Sequence, residues 1–130
     1  MKLIEDITAI IETYDNLPRD FNDIQRLLNA RKSLSVLSYN LSLQVADYKH
    51  LYEMAYLKRK LNHSRLKQSS EGTNADREDK AIIGNAENLK TEKENEAMYS
   101  KLKIILGQVN EVSDSMSQYI SYLKLEKQNG

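Results

Sequence analysis

The chain has 130 residues with no Cys, no Trp, one Pro and four Gly, and its 19 basic and 19 acidic side chains cancel. Without Cys there is no disulfide, thiolate nucleophile or cysteine metal site, and no stretch approaches the roughly 18 consecutive apolar residues of a membrane span. Apolar residues at 40% and charged ones at 29% suit elongated helices with little interior per residue, a class that often completes its core with a partner chain.

The length fits a single helical domain, 1–130. Its first segment, 1–15, repeats apolar residues at Leu3, Ile4, Ile7, Ile10, Ile11 and Tyr14, the spacing of one helical face. Glu5 and Asp6 interrupt that apolar run, which is unlike a signal peptide. The segment "DNLPRD" ends the helix, because Pro18 lacks an amide donor and biases Leu17 away from helical geometry.

No Gly or Pro occurs between Arg19 and Glu71, which predicts one long helix over about 20–68, a rod of roughly 75 Å. A rod of that length must lie along something to be stable. Its apolar positions follow 3-4 steps: Leu27, Ala30, Leu34, Leu37, Leu41, then Gln44, Tyr48, Leu51 and Ala55, with Lys58 next in the series. "QSSEGTNAD" reads as a loop over 69–76, where Thr73 or Asn74 could cap a new helix and Asp76, Glu78 and Asp79 favour its positive end. The last helical segment, 77–127, is interrupted or bent at Gly84. Within it Leu102, Ile105, Val109, Val112, Met116, Tyr119 and Leu123 form a sustained heptad seam, and Ile104, Leu106 and Ile120 widen the apolar face enough to suggest contact with more than one helix. The expected fold is therefore all-α: a short N-terminal helix packed across a long antiparallel hairpin that oligomerises through coiled-coil-like packing.

Zero net charge hides a strong polarity along the chain. Residues 1–23 hold two basic and six acidic side chains, residues 24–70 nine and two, and residues 71–130 eight and eleven. The positive charge culminates in "YLKRKLNHSRLK", residues 56–67, inside the acid-free stretch from Met54 to Ser70. At 100° per residue, one arc there carries Leu51, Met54, Ala55, Leu57, Leu61 and Leu66. The opposite arc carries Lys49, Tyr52, Tyr56, Arg59, Lys60, His63 and Lys67. Rings beside cations suit single-stranded nucleic acid, whose bases stack while its phosphates are neutralised. The plainer reading packs Tyr52 and Tyr56 on a neighbouring helix with their hydroxyls at the rim. Lys58 and Arg65 fall in the apolar arc, where a cation is costly unless paired or solvated, so either the core ends near Leu57 or this end of the rod faces a groove; both options expose their charge, which adds them to those seven as candidate nucleic-acid contacts.

No catalytic constellation is present. His50 and His63 fall on roughly opposite sides of one helix and cannot share a metal. The glycines are isolated, so there is no phosphate-cradling loop. "TEKENE", with Lys93 among its carboxylates, reads as a solvated helix face, and Ser33, Ser35, Ser38 and Ser42 as small polar surface. No enzyme activity, cofactor or metal is expected.

"LKRKL", Leu57–Leu61, resembles the L-K-A-R-L motif of the phage UvsY-type recombination mediators. "MKLIEDITAIIE" is similar to the family's acidic, leucine-rich opening, "SYNL" lies on the long helix before the motif, and "AIIGNAENLK" resembles the stretch after the family's Gly-containing loop. The resemblance implies a small helical protein assembling into a ring-like homo-oligomer. Such a protein would bind single-stranded DNA and help a RecA-like recombinase displace single-stranded-DNA-binding protein, in the cytoplasm of an infected bacterial host. The motif's two basic positions correspond to Lys58 and Lys60; the second is arginine in the family, and lysine keeps the charge but loses the planar fork. Arg59 stands where the family has a small residue. The alternative is a coiled-coil structural or adaptor protein that binds no nucleic acid, which the zero net charge favours. A membrane-surface helix is disfavoured by the lack of Trp and Phe on the apolar arc.

Overall fold

Capping residues and turns set where the helices begin and end. In the computed structural model, residues 1–129 are described and form four helices: α1 (Lys2–Asp15), α2 (Ile24–Ser69), α3 (Asn74–Gly84) and α4 (Ala86–Asn129). The amide of Asn16 closes α1 on the carbonyl of Glu12, and a turn from Phe21 N to Pro18 O follows. The long helix starts at Ile24 rather than near Asp20, because the Asp23 carboxylate accepts from the amide of Arg26 at 3.1 Å and so caps it. After α2, Gly72 takes φ 111°, a left-handed conformation that favours glycine. Thr73 and Asp76 then form a reciprocal capping box at the start of α3, three residues before the expected boundary at 77. The interruption expected at Gly84 is present: α3 ends there and Asn85 separates it from α4.

The two long helices pack antiparallel, since partners on α4 fall in number as those on α2 rise, from Arg31 with Ser117 to Ser38 with Asn110 in one part and from Tyr52 with Tyr99 to Arg59 with Glu92 in another. The chain divides into two compact units, one built from Met1–Gln44 and the chain from Leu102 onward, the other from Val45–Lys101. In the first unit Leu27, Leu34 and Leu41 of α2 are buried at seven-residue intervals, as are Leu102, Val109, Met116 and Leu123 of α4. Burial of each such large aliphatic side chain contributes about 1.5–3 kcal/mol. The alternate seam members Ile105, Val112 and Tyr119 are half-buried. Ile120 joins Leu27 and Leu123 in a cluster covered by Tyr14, Leu17 and Phe21, and Tyr119 donates its hydroxyl to the carbonyl of Phe21. Ile7 buries the apolar face of α1. Ile104, expected to widen that face, is 63% exposed.

The second unit holds the later part of α2, all of α3 and the beginning of α4. Here the face of α2 turned toward the other helices departs from the expected series. From Leu41 onward Gln44, Tyr48 and Ala55 of that series are still partly covered, but so are Val45, Tyr52, Arg59, Asn62, His63, Leu66 and Lys67, whereas Leu51 and Lys58 are exposed. A strict heptad line drifts about 20° per repeat on a helix of 3.6 residues per turn. The four and a half repeats from Leu27 to Lys58 accumulate about 90°, close to the 100° between adjacent residues. The contact line therefore moves over by one position.

Candidate binding face of the basic helix

That shift turns the basic stretch around. Four of the nine residues singled out as a nucleic-acid surface point into the fold. Tyr52 meets the ring of Tyr99 on α4 at 5.4 Å between centroids, tilted by 39°. Arg59 donates its Nε to Glu92 at 2.6 Å and an Nη to the other carboxylate oxygen at 3.4 Å. His63 and Lys67 both reach the carboxylate of Glu78 on α3, at 3.0 and 3.1 Å. The reading of Tyr52 as packed on a neighbouring helix is thus the one that the structure displays.

These inward groups perturb one another. The hydrogen bond to Glu92 is the largest influence on the Arg59 guanidinium and raises its pKa, holding it protonated. The hydrogen bond from Lys67 is the main cause that lowers the Glu78 pKa below the ordinary 4.5, and His63 adds to it.

Between the ion pair of Glu92 and those of Glu78 lies an amide cluster. Asn85, at the α3–α4 break, donates Nδ2 to the carbonyl of Arg59 at 2.7 Å, and its Oδ1 accepts from Asn62 at 3.0 Å and Asn88 at 2.8 Å. Asn85 and Glu92 are 4% and 3% exposed. "TEKENE" is therefore not uniformly a solvated face: Lys93 and Glu94 are exposed, but Glu92 is buried. Sequence reading misses this cluster because it follows apolar side chains only. The signal was available as spacing, since 3-4 steps continue backward from Leu102 through Tyr99, Asn95, Glu92, Asn88 and Asn85, all at least partly covered.

The remaining five residues are solvent-facing, on two flanks. Lys49, Tyr56 and Lys60 lie on one side, Lys58 and Arg65 on the other. The cations of Arg59 and Lys60 sit 5.3 and 5.5 Å from the centre of the Tyr56 ring, on which a base would otherwise stack. Arg65 donates to Asn62 one helical turn away. Lys58 and Lys60, the two motif positions, are 200° apart around the helix, so they bracket a strip between them rather than form one patch.

That strip is apolar. Leu51, Met54, Leu57 and Leu61 of the apolar arc are 47%, 50%, 51% and 74% exposed, and only its members Ala55 and Leu66 are partly covered. A shallow open groove lined by Met54, Leu57, Lys58, Leu61 and Arg65 runs along it. Among the described residues no three His, Asp or Glu side chains gather in a metal-binding cluster, and no helix is long and apolar enough to cross a membrane. His50 is exposed, while His63 is occupied with Glu78. No protein-family model matches the chain, and neither does any curated protein or solved structure.

Proposed function

We propose that the chain is a non-enzymatic, self-assembling factor whose basic helix binds single-stranded DNA. The observation that supports this most is what remains after the internal pairs are removed. Between Met54 and Ser70 the solvent-facing side of α2 still offers Lys58, Lys60, Arg65 and the half-exposed Tyr56, with no carboxylate on that stretch. Three cations per chain suit contact with phosphates more than readout of bases. The further role, helping a RecA-like recombinase displace single-stranded-DNA-binding protein, rests on the resemblance of Leu57–Leu61 and its flanking segments to the UvsY-type mediators.

A salt titration tests the reading. Each neutralised phosphate adds about 0.7 to the slope of log affinity against log salt for single strands. Engagement of all three cations predicts a slope near 2 per chain, multiplied by the number of chains that contact one strand. Lys58→Ala with Lys60→Ala should flatten the slope and weaken binding. Absence of binding to an oligonucleotide at low salt would defeat the proposal. The second reading, a coiled-coil adaptor without nucleic acid, is favoured by the exposed leucine strip, and it predicts that absence.

A further inference from the structure

The exposed apolar strip on α2 has a counterpart elsewhere on the same unit. The outward face of α3 presents Ile82 and Ile83, 55% and 75% exposed, alongside the exposed carboxylates of Asp76 and Asp79, while Lys80 at its edge is drawn back to the carbonyl of Glu71. The other side of α3 is engaged with α2: Ala81 is buried, Glu78 is bound to His63 and Lys67, and Gly84 backs onto Leu66 so closely that an added Cβ would lie 2.8 Å from Cδ1. We infer that the leucine strip of α2 in one copy binds the isoleucine face of α3 in a second copy. The inference rests on the self-assembly part of the reading above and not on DNA binding.

Charge selects this pairing over the others. Packing the leucine strip on itself would bring the Lys58 and Arg65 rims of two copies together, with no acid on the stretch to separate them. Packing the isoleucine face on itself would oppose Asp76 and Asp79 to their own copies. Only the heterologous pairing sets a basic rim against an acidic one. The two faces of one chain cannot satisfy each other. Leu57 and Leu61 lie on the side of α2 opposite Arg59 and His63, while the isoleucines turn away from α2. The contact therefore joins different chains and leaves one free face at each end of a pair, as heterologous interfaces do.

Sedimentation of full-length protein without DNA tests this. The wild type should associate with concentration beyond the 15.0 kDa of one chain. Leu57→Asp with Leu61→Asp should remain at the mass of one chain, and so should Ile82→Lys with Ile83→Lys, each retaining its helical circular dichroism. Mixed in equal amounts, the two variants should form a 1:1 dimer and nothing larger, because each supplies the face that the other lacks. Recovery of the dimer also shows that neither variant failed to fold. A wild type that stays monomeric, a variant that still associates like the wild type, or a mixture that stays monomeric would each overturn the inference. Lys58 and Arg65 line the leucine strip as well as the proposed DNA surface, so oligonucleotide binding is also read on Lys60→Ala, which lies on the other flank, and loss of one result then leaves the other standing.

Discussion

The pair of Arg59 and Glu92 separates a structural cation from a nucleic-acid contact. Replacing Arg59 by Met removes two hydrogen bonds to a carboxylate whose side chain is 4% exposed. Breaking a fully buried pair costs about 3–5 kcal/mol. Because the Arg59 side chain is 26% exposed, water can reach that edge, and the expected loss falls to about 2–3 kcal/mol. Glu92→Leu should cost less, about 1 kcal/mol, since the freed guanidinium can turn to solvent. Together the two changes place an apolar pair in the gap, and the double variant should be more stable than Arg59→Met alone, giving a coupling of about 1–2 kcal/mol. Urea unfolding at one fixed protein concentration measures all four corners, with the concentration held because association shifts apparent stability. Additive effects below about 0.5 kcal/mol, combined with a large loss of oligonucleotide binding by Arg59→Met, would refute the assignment and return Arg59 to the DNA surface.

Two further perturbations probe other parts of the fold. Gly107→Ala should stabilise α4 by about 0.5–1 kcal/mol, because the added Cβ meets nothing within 4 Å, and thermal unfolding should show a higher midpoint; a lower one would place another chain against that spot. Glu78, with its pKa lowered, contributes stability above the ordinary carboxylate value of 4.5 and loses it as pH falls through its lowered value. The difference in urea midpoint between wild type and Glu78→Gln should thus be present above the ordinary carboxylate range and close toward zero in acid; a difference unchanged on acidification would remove the ion pairs to His63 and Lys67 from the account.

The helical hairpin was legible because its signals were local. Pro18, the Gly-containing loop, Gly84 and the seam from Leu102 to Leu123 each name their own structure without reference to a partner. The orientation of the basic stretch was not legible in the same way, because it depends on accumulated phase. Counting heptads from Leu27 holds through Gln44 and Tyr48 and again at Ala55, but the alternate positions slip, so that Tyr52 and Arg59 stand where Leu51 and Lys58 were expected. Hydrophobicity reinforced the error, since the leucines there are more apolar than the residues that face the fold. What holds this part of the hairpin is polar: a ring pair, ion pairs and three asparagines. Such partners are chosen by complementarity across the chain, which a reading of one segment at a time does not see.

The placement of Asn85 also governs how this part of the molecule opens. Its main-chain carbonyl accepts from Leu89 and its amide donates to Ile82, so the residue closes one helix and begins the next. The side chain that could have capped α4 is instead spent on Arg59, Asn62 and Asn88. Fraying at the junction therefore strands a buried amide, and pulling α3 away from α2 does the same from the other direction. Neither helix end can loosen by itself, so the backbone amides of α3 and the first turn of α4 should exchange their hydrogens as one cooperative group. A short helix of 11 residues, marginal by its own propensity, thereby acquires the opening free energy of the segment it is bound to.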